Sequence, residues 1–294
     1  MKKTAFDFVE SLDLSGKVYI VTGAYAGLGA VTTQALVKAG ATVILAGRNK
    51  RAQAEFVQQF LQPSQLDGSH TLELGDLQSV KSFADYVLSN YTQIDCLINN
   101  AGVMFTPPGK TKDGFETQFG VNVIGHFLLA KLLVEKTKRQ VWLSSRGHIR
   151  LGAPRIDLEA VTKVDASNYN TRFRYQQSKL GDILLAKYFN QQYAHLTAVS
   201  VHPGVVKTNL ARHMSLGKKM ALVLRHPLAI MSMKAPEEGA ATQVMVATMA
   251  DAELVGGAYY ADCKVTQEAE SAQNMEDAKL LFEYCDEVTK AFQA

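Results

Sequence analysis

A chain of 294 residues with 47% hydrophobic and 20% charged residues has the make-up of a soluble globular protein with one sizeable core. Its net charge of +3 is too small and too dispersed to mark a nucleic-acid-binding surface. Cys96, Cys263 and Cys285 are odd in number, far apart and without metal-ligand spacing, so free thiols in a reducing, cytoplasmic compartment are expected and a metal is not.

Residues 1–14 carry two lysines and then Asp7, Glu10 and Asp13, with no apolar run, so they read as neither a signal peptide nor a membrane anchor. No repeat or linker divides the chain, and one domain over residues 1–294 is expected. Residues 17–22 form a short apolar run that ends in Thr22 and a glycine-rich turn, Gly23-Ala-Tyr25-Ala-Gly27-Leu28-Gly29. A helix over 30–39, stopped by Gly40, and a β-branched strand over 42–46 complete a βαβ unit. In that setting the glycines let the backbone approach a pyrophosphate at the positive end of the helix; a tight structural turn is the plainer alternative. An acid at the end of the second strand would bind the ribose of NAD, but residues 46–51 contain none. Arg48 offers a bidentate grip on a 2′-phosphate, which favours NADP over NAD; its alternative is a solvated helix start.

A helix over 51–61 closes at Pro63, a third strand is expected over 71–74, and a helix over 79–90 has Ser79 as its expected cap. Asp76 and Leu77 follow that third strand, where ligands bind in open parallel sheets, so Asp76 reads as a contact to the adenine side or as a helix cap. Residues 94–98 make the fourth strand, and Asn99-Asn100-Ala101-Gly102 after it can hold a neighbouring strand and leave room for a cofactor. A fourth helix is expected over 115–136. Its Asn122 is either functional or bonded to its own backbone, and His126 reads as a packing or capping histidine. The fifth strand runs over 140–145, with Ser144 and Ser145 at the ligand edge; alternate side chains face opposite ways, so only one of them lines the site. After a polar stretch, Tyr175 opens a long helix to about 193, and a sixth strand over 195–201 leads into His202-Pro203-Gly204. Tyr175 and Lys179 lie one turn apart on one helix face, where an ammonium favours a phenolate and makes a proton donor or acceptor. By spacing alone a surface tyrosine followed by a solvated lysine is the plainer reading.

Taken in order, Thr22-Gly-x-x-x-Gly-x-Gly29, Asn99-Asn-Ala-Gly102, Ser145, Tyr175-x-x-x-Lys179 and Pro203-Gly204 resemble the short-chain dehydrogenase/reductase family over essentially the whole chain. Val121-Asn-Val-Ile-Gly-His-Phe-Leu-Leu129, Tyr175-Gln-Gln-Ser-Lys-Leu180, His202-Pro-Gly-Val-Val-x-Thr208, Pro236-Glu-Glu-Gly-Ala240 and Gly257-Ala-Tyr-Tyr-Ala-Asp-Cys263 look most like its retinol-dehydrogenase-like branch. That branch also includes the light-dependent protochlorophyllide reductases. The resemblance implies a Rossmann-type, doubly wound α/β fold with a mostly parallel sheet. It implies that Tyr175 exchanges the proton, Lys179 assists it and holds the nicotinamide ribose, Ser145 positions the carbonyl oxygen, and Asn122 supports a water that links Lys179 to solvent. Ser145 rather than Ser144 follows from the family register. Thr22, Gly23, Tyr25, Gly27, Leu28, Gly29, Arg48, Asp76, Leu77, Asn100, Ala101, Gly102, Pro203, Gly204, Val206 and Thr208 are the expected cofactor contacts. Dimers or tetramers are common in the family.

Three departures stand out. Tyr25 replaces a small polar residue and either covers the adenosine phosphate or alters cofactor preference. Gly181-Asp182 stands where the branch usually has Ala-Asn. The membrane anchor of several retinoid-active relatives is missing from the sequence, which weakens the case for a membrane-dissolved retinoid. Residues 209–235 mix basic residues with methionines and leucines and are expected to fold over an apolar substrate; a membrane-touching or packing surface is the alternative. The expected activity is NADP(H)-dependent carbonyl–alcohol interconversion on an apolar aldehyde, ketone or retinoid- or steroid-like molecule. Reduction of a conjugated C=C bond and a non-catalytic NADPH sensor are the rivals.

Overall fold

The computed structural model describes residues 3–151, 155–162, 164–206 and 233–293. Most of the segment expected to cover the substrate, and Thr208, lie outside them. The first strand, β1 (Val18–Thr22), sends Ile20 into one hydrophobic core and Tyr19 and Val21 into another, the parting that a side-chain period of two imposes. The same division runs through β2 (Thr42–Ala46), β4 (Cys96–Asn99) and β5 (Arg139–Leu143), so the sheet is buried on both faces. This is why those strands are apolar without alternation.

One core is closed by α3 (Leu77–Asn90), α5 (Gly125–Leu132), α7 (Thr171–Gln192) and α9 (Met275–Thr289), with the short α6 (Leu158–Thr162) preceding α7 in the chain. The other is closed by α1 (Gly27–Lys38), α2 (Lys50–Val57) and α8 (Pro236–Thr248). With β3 (Leu66–Asp67), β6 (Thr197–His202), β7 (Tyr259–Ala261) and β8 (Lys264–Val265), the strands stand in the order β3-β2-β1-β4-β5-β6-β7-β8. All neighbours are parallel except β7 and β8. The fold is therefore the expected doubly wound α/β sandwich. The chain leaves β1 for β2 on one side and returns to β4 on the other, which opens a crevice at the carboxyl ends of these strands.

The third strand differs from expectation. Leu66 and Asp67 pair with β2, whereas residues 71–74 run beside it with one bond, from the Leu72 N–H to the Gly47 carbonyl. Side chains take two donors nearby: the Glu73 N–H donates to Ser79 Oγ and the Gly75 N–H to Glu73 Oε1. Ser79 is thus no cap. Asp76 caps α3, accepting from the N–H groups of Gln78 and Ser79. The fourth helix is interrupted: α4 (Thr117–Phe119) leads through a π-helical turn, Gly120–Ile124, into α5. Helix α7 starts a turn earlier than expected because Asn170 caps it, accepting from the Phe173 N–H. Tyr175 consequently sits inside the helix, where packing holds it.

Candidate active site

The crevice begins at the β1–α1 turn. Gly23 and Gly27 have φ of +69° and +54°, conformations that other residues rarely adopt. A Cβ on Gly29 would stand 2.2 Å from the Gly23 carbonyl oxygen and 2.7 Å from Asn100 Nδ2. Helix α1 starts without a side-chain cap and without an acid in its first turn, and Ala26 and Gly27 are exposed. A helix start with no side-chain cap leaves its first N–H groups to fit the pyrophosphate of a dinucleotide. Leu28 packs with Val206 against Gly239, where an added Cβ would meet Val206 Cγ2 at 2.6 Å and Leu28 Cδ2 at 2.9 Å.

At the end of β2, Tyr25 lies across Gly47, whose added Cβ would be 2.3 Å from Tyr25 Cε1. Its hydroxyl accepts the Asn49 N–H at 3.0 Å. Arg48 is exposed and pairs with Glu73 Oε2 at 3.2 Å. Arg48 thus meets a carboxylate from another loop, which a search along the second strand overlooks. Asp76 is engaged twice, as the α3 cap and with Lys112 Nζ at 2.5 Å, while the Leu77 side chain belongs to the core.

Between β1 and β4, Thr22 Oγ1 accepts the N–H groups of Asn100 and Ala101, both at 2.8 Å. Asn100 Nδ2 donates to the Thr22 carbonyl at 2.7 Å. These bonds hold the two strands together at the crevice. Asn122, fully buried in the π-helical turn, accepts the Val103 N–H at 2.9 Å and donates to the Val103 carbonyl and to Ser178 Oγ, both at 3.0 Å. A π-helical turn displaces side chains from the regular helical register and recurs at functional sites. His126 links this turn to the glycine loop: Nδ1 donates to the Asn122 carbonyl at 3.0 Å, and Nε2 lies 2.9 Å from Thr22 Oγ1.

Burial pushes the His126 imidazole down to about 4, and burial followed by the Arg146 charge does the same to His202. Both fold as neutral rings. Above pH 6.5, the ordinary value, they cost nothing; as pH falls from there toward 4 the unfolded chain takes up protons that the folded one refuses. Stability should therefore fall over that window by about 3 kcal/mol for each ring. Thermal unfolding followed against pH checks this, and His126→Asn should show a shallower acid slope than the parent.

Ser144 and Ser145 part as alternation requires. Ser144 is buried and donates to the Lys179 carbonyl at 2.6 Å, whereas Ser145 faces the crevice, its Oγ accepting the Gly147 N–H at 3.1 Å. A Cβ on Gly147 would lie 3.5 Å from both Ser145 Oγ and Tyr175 Cε1, so serine and tyrosine flank one small gap. Tyr175 is 7% and Lys179 6% exposed, which removes the reading of a solvated pair. Lys179 Nζ stands 5.8 Å from the Tyr175 ring centroid and donates to the Leu143 carbonyl and to Asp182 Oδ2, each at 2.8 Å. Phe105, at φ +55°, sets its ring edge-on to Tyr175 with centroids 5.5 Å apart. At the end of β6, Gly204 has φ +92° and the Lys234 chain lies against it, while Val206 forms a bridge with Lys234.

A family profile described as short chain dehydrogenase matches residues 17–151. Short-chain dehydrogenase TIC 32 A, chloroplastic, of Brassica napus is 36% identical over 279 residues, covering 90% of this chain and 85% of that protein. Retinol dehydrogenase 12 of Homo sapiens is 36% identical over 282 residues, covering 92% and 86%. The chain belongs to the short-chain dehydrogenase/reductase family. Within the family it falls in the retinol-dehydrogenase-like branch. A crystal structure of an uncharacterized protein from Mycobacterium paratuberculosis matches this dehydrogenase/reductase with a TM-score of 0.78 at 29% identity, over 99% of this chain and 98% of that one.

As a member of the family the chain is an oxidoreductase. Among its described residues no helix is long and apolar enough to cross a membrane. Four site neighbours of this dehydrogenase/reductase went unread in the sequence as such: Glu73, Phe105, Ser178 and Asp182. Glu73 and Phe105 carry no signal because loops bring them in. Ser178 and Asp182 share a helix with Lys179, and helical spacing was the available clue.

Proposed function

We propose that this dehydrogenase/reductase interconverts a carbonyl and an alcohol with NADP(H), on an apolar aldehyde, ketone or retinoid- or steroid-like substrate. The observation that carries the reading is the burial of Tyr175 and Lys179 together, beside Ser145. When bound, the nicotinamide supplies the hydride. Tyr175 gives its phenolic proton to the substrate oxygen in reduction and takes it back in oxidation. Ser145 donates a hydrogen bond to the same oxygen and fixes its place. Lys179 keeps a positive charge beside the phenol and holds the nicotinamide ribose. Asn122, by clamping the main chain of Val103, fixes the wall opposite Lys179 and supports a water between that lysine and solvent.

The glycine turn holds the pyrophosphate, with Thr22, Asn100, Ala101 and Gly102 shaping the floor and Pro203, Gly204 and Val206 the far wall. Asp76 stays in the reading as a contact on the adenine side, although its cap and its Lys112 partner leave it less free than the sequence suggested. Preference for NADP rests on Arg48, an exposed guanidinium whose present partner, Glu73, is itself 39% exposed and exchangeable for a phosphate. The three free thiols agree with a cytoplasmic setting, and a dimer or tetramer is the assembly this reading includes.

Consumption of NADPH and NADH against a panel of carbonyls, conjugated alkenes and retinoids tests the activity. NADPH binding with no turnover on any class would leave a sensor. Arg48→Ala should weaken NADPH binding about tenfold or more, with NADH changed far less, as read by cofactor fluorescence. Equal losses for the two cofactors would falsify the role given to Arg48.

A further inference from the structure

We propose that Asp182 is the built-in counter-ion of Lys179, a positioning residue that keeps the ammonium charged and turned toward Tyr175. Lys179 is nine-tenths buried, and an ammonium taken out of water without a partner gives up its proton rather than its hydration. Asp182 stands one turn further along α7, is 2% exposed, and accepts from Lys179 Nζ at 2.8 Å. With the Leu143 carbonyl as second acceptor, two of the three ammonium protons are directed and one is left for the crevice.

Among the described residues no other carboxylate enters the balance at Lys179. On α7 the groups that act on it are Asp182 and Tyr175. On α5 the facing group is His126, which burial keeps neutral. Helix α9 presents the apolar Leu281 beside Gly181, and β5 offers a carbonyl oxygen. Burial draws the Lys179 ammonium down, yet Asp182 and then Tyr175 outweigh it and leave it raised. Burial raises Asp182 in turn, against the pull of Lys179. The branch this chain resembles usually carries an amide here, so the charge is a property of this chain and an amide is a shape the fold accommodates.

Asp182 acts on Lys179 at contact distance and on Tyr175 from about two turns away, so the charge of Lys179 is the first thing lost with it. The inference rests on the reading of Tyr175 and Lys179 as the proton-exchanging pair, so the experiment reads Lys179 directly as well as turnover. In protein labelled at lysine, the Lys179 side-chain NMR signal, identified by its absence in Lys179→Met, is titrated in the parent, Asp182→Asn and Asp182→Glu. Asp182→Asn should release the Lys179 proton at least about one pH unit lower, with the alkaline limb of kcat/KM moving with it. Asp182→Glu should stay close to the parent. An unmoved Lys179 midpoint in the Asn variant, or equal displacement in both variants, overturns the proposal. A moved midpoint with unmoved turnover supports the counter-ion and faults the catalytic reading instead. Should the Asn variant not fold, the parent still decides: its Lys179 signal should bend on the acid side of neutrality as Asp182 takes a proton, and a flat signal there overturns the proposal.

Discussion

Tyr175→Phe is expected to lower turnover about a hundred- to ten-thousand-fold, the range by which a positioned proton donor accelerates such a step. The ring that meets Phe105 edge-on and lies beside Lys179 is retained, so the melting temperature should stay within about 2 °C of the parent. NADPH binding should change little, because the pyrophosphate cradle is built from β1 and α1. The measurement is kcat on the best substrate of the panel, with unfolding and cofactor binding followed on the same samples. Undiminished turnover in the Phe variant would sink the mechanism, whatever the substrate proves to be.

Gly29→Ala should be among the most damaging glycine-to-alanine changes at the described residues. The added carbon would overlap the Gly23 carbonyl and crowd Asn100 Nδ2, and the nearer clash is with backbone, which cannot swing away. Either the β1–α1 turn opens or α1 moves off the sheet. In the second case Asn100 loses its bond to the Thr22 carbonyl, and the join between β1 and β4 loosens. Overpacking of this kind costs about 1–3 kcal/mol and sometimes more, and the expected result is loss of detectable dinucleotide binding together with a melting temperature lower by several degrees. A variant that binds NADPH normally would show that the turn has another purpose. Gly16 gives a contrast for space alone, since nothing lies within 4 Å of its added Cβ, although its own φ of +76° would strain a substituent.

Much of this arrangement was legible from local pattern. The βαβ order follows from apolar runs alternating with helical segments, and the glycine turn follows from its spacing. The choice of Ser145 over Ser144 rests on the family register; in the fold Ser144 turns to the Lys179 carbonyl. The errors are equally local in cause. Residues 71–74 have the composition of a strand, but the Ser79 hydroxyl takes the Glu73 N–H and the Glu73 carboxylate takes the N–H of Gly75 just beyond, so the ladder is not continued. The helix around Asn122 was read as regular because a π-helical turn leaves no mark in composition.

Local spacing is enough to specify the chemical groups and their order: a glycine turn, a strand-end serine, and a tyrosine and lysine one helical turn apart. Those depend on spacing along one element, where geometry is set by the backbone. Tertiary structure decided which of them are buried and what they face. It took Tyr175 and Lys179 out of water, placed Glu73 on Arg48 from another loop, and set His126 between Asn122 and Thr22. It also turned Asp182 from a departure in a motif into a buried carboxylate on the ammonium of Lys179. Burial and long-range pairing set proton affinities, and both arise only when distant segments pack.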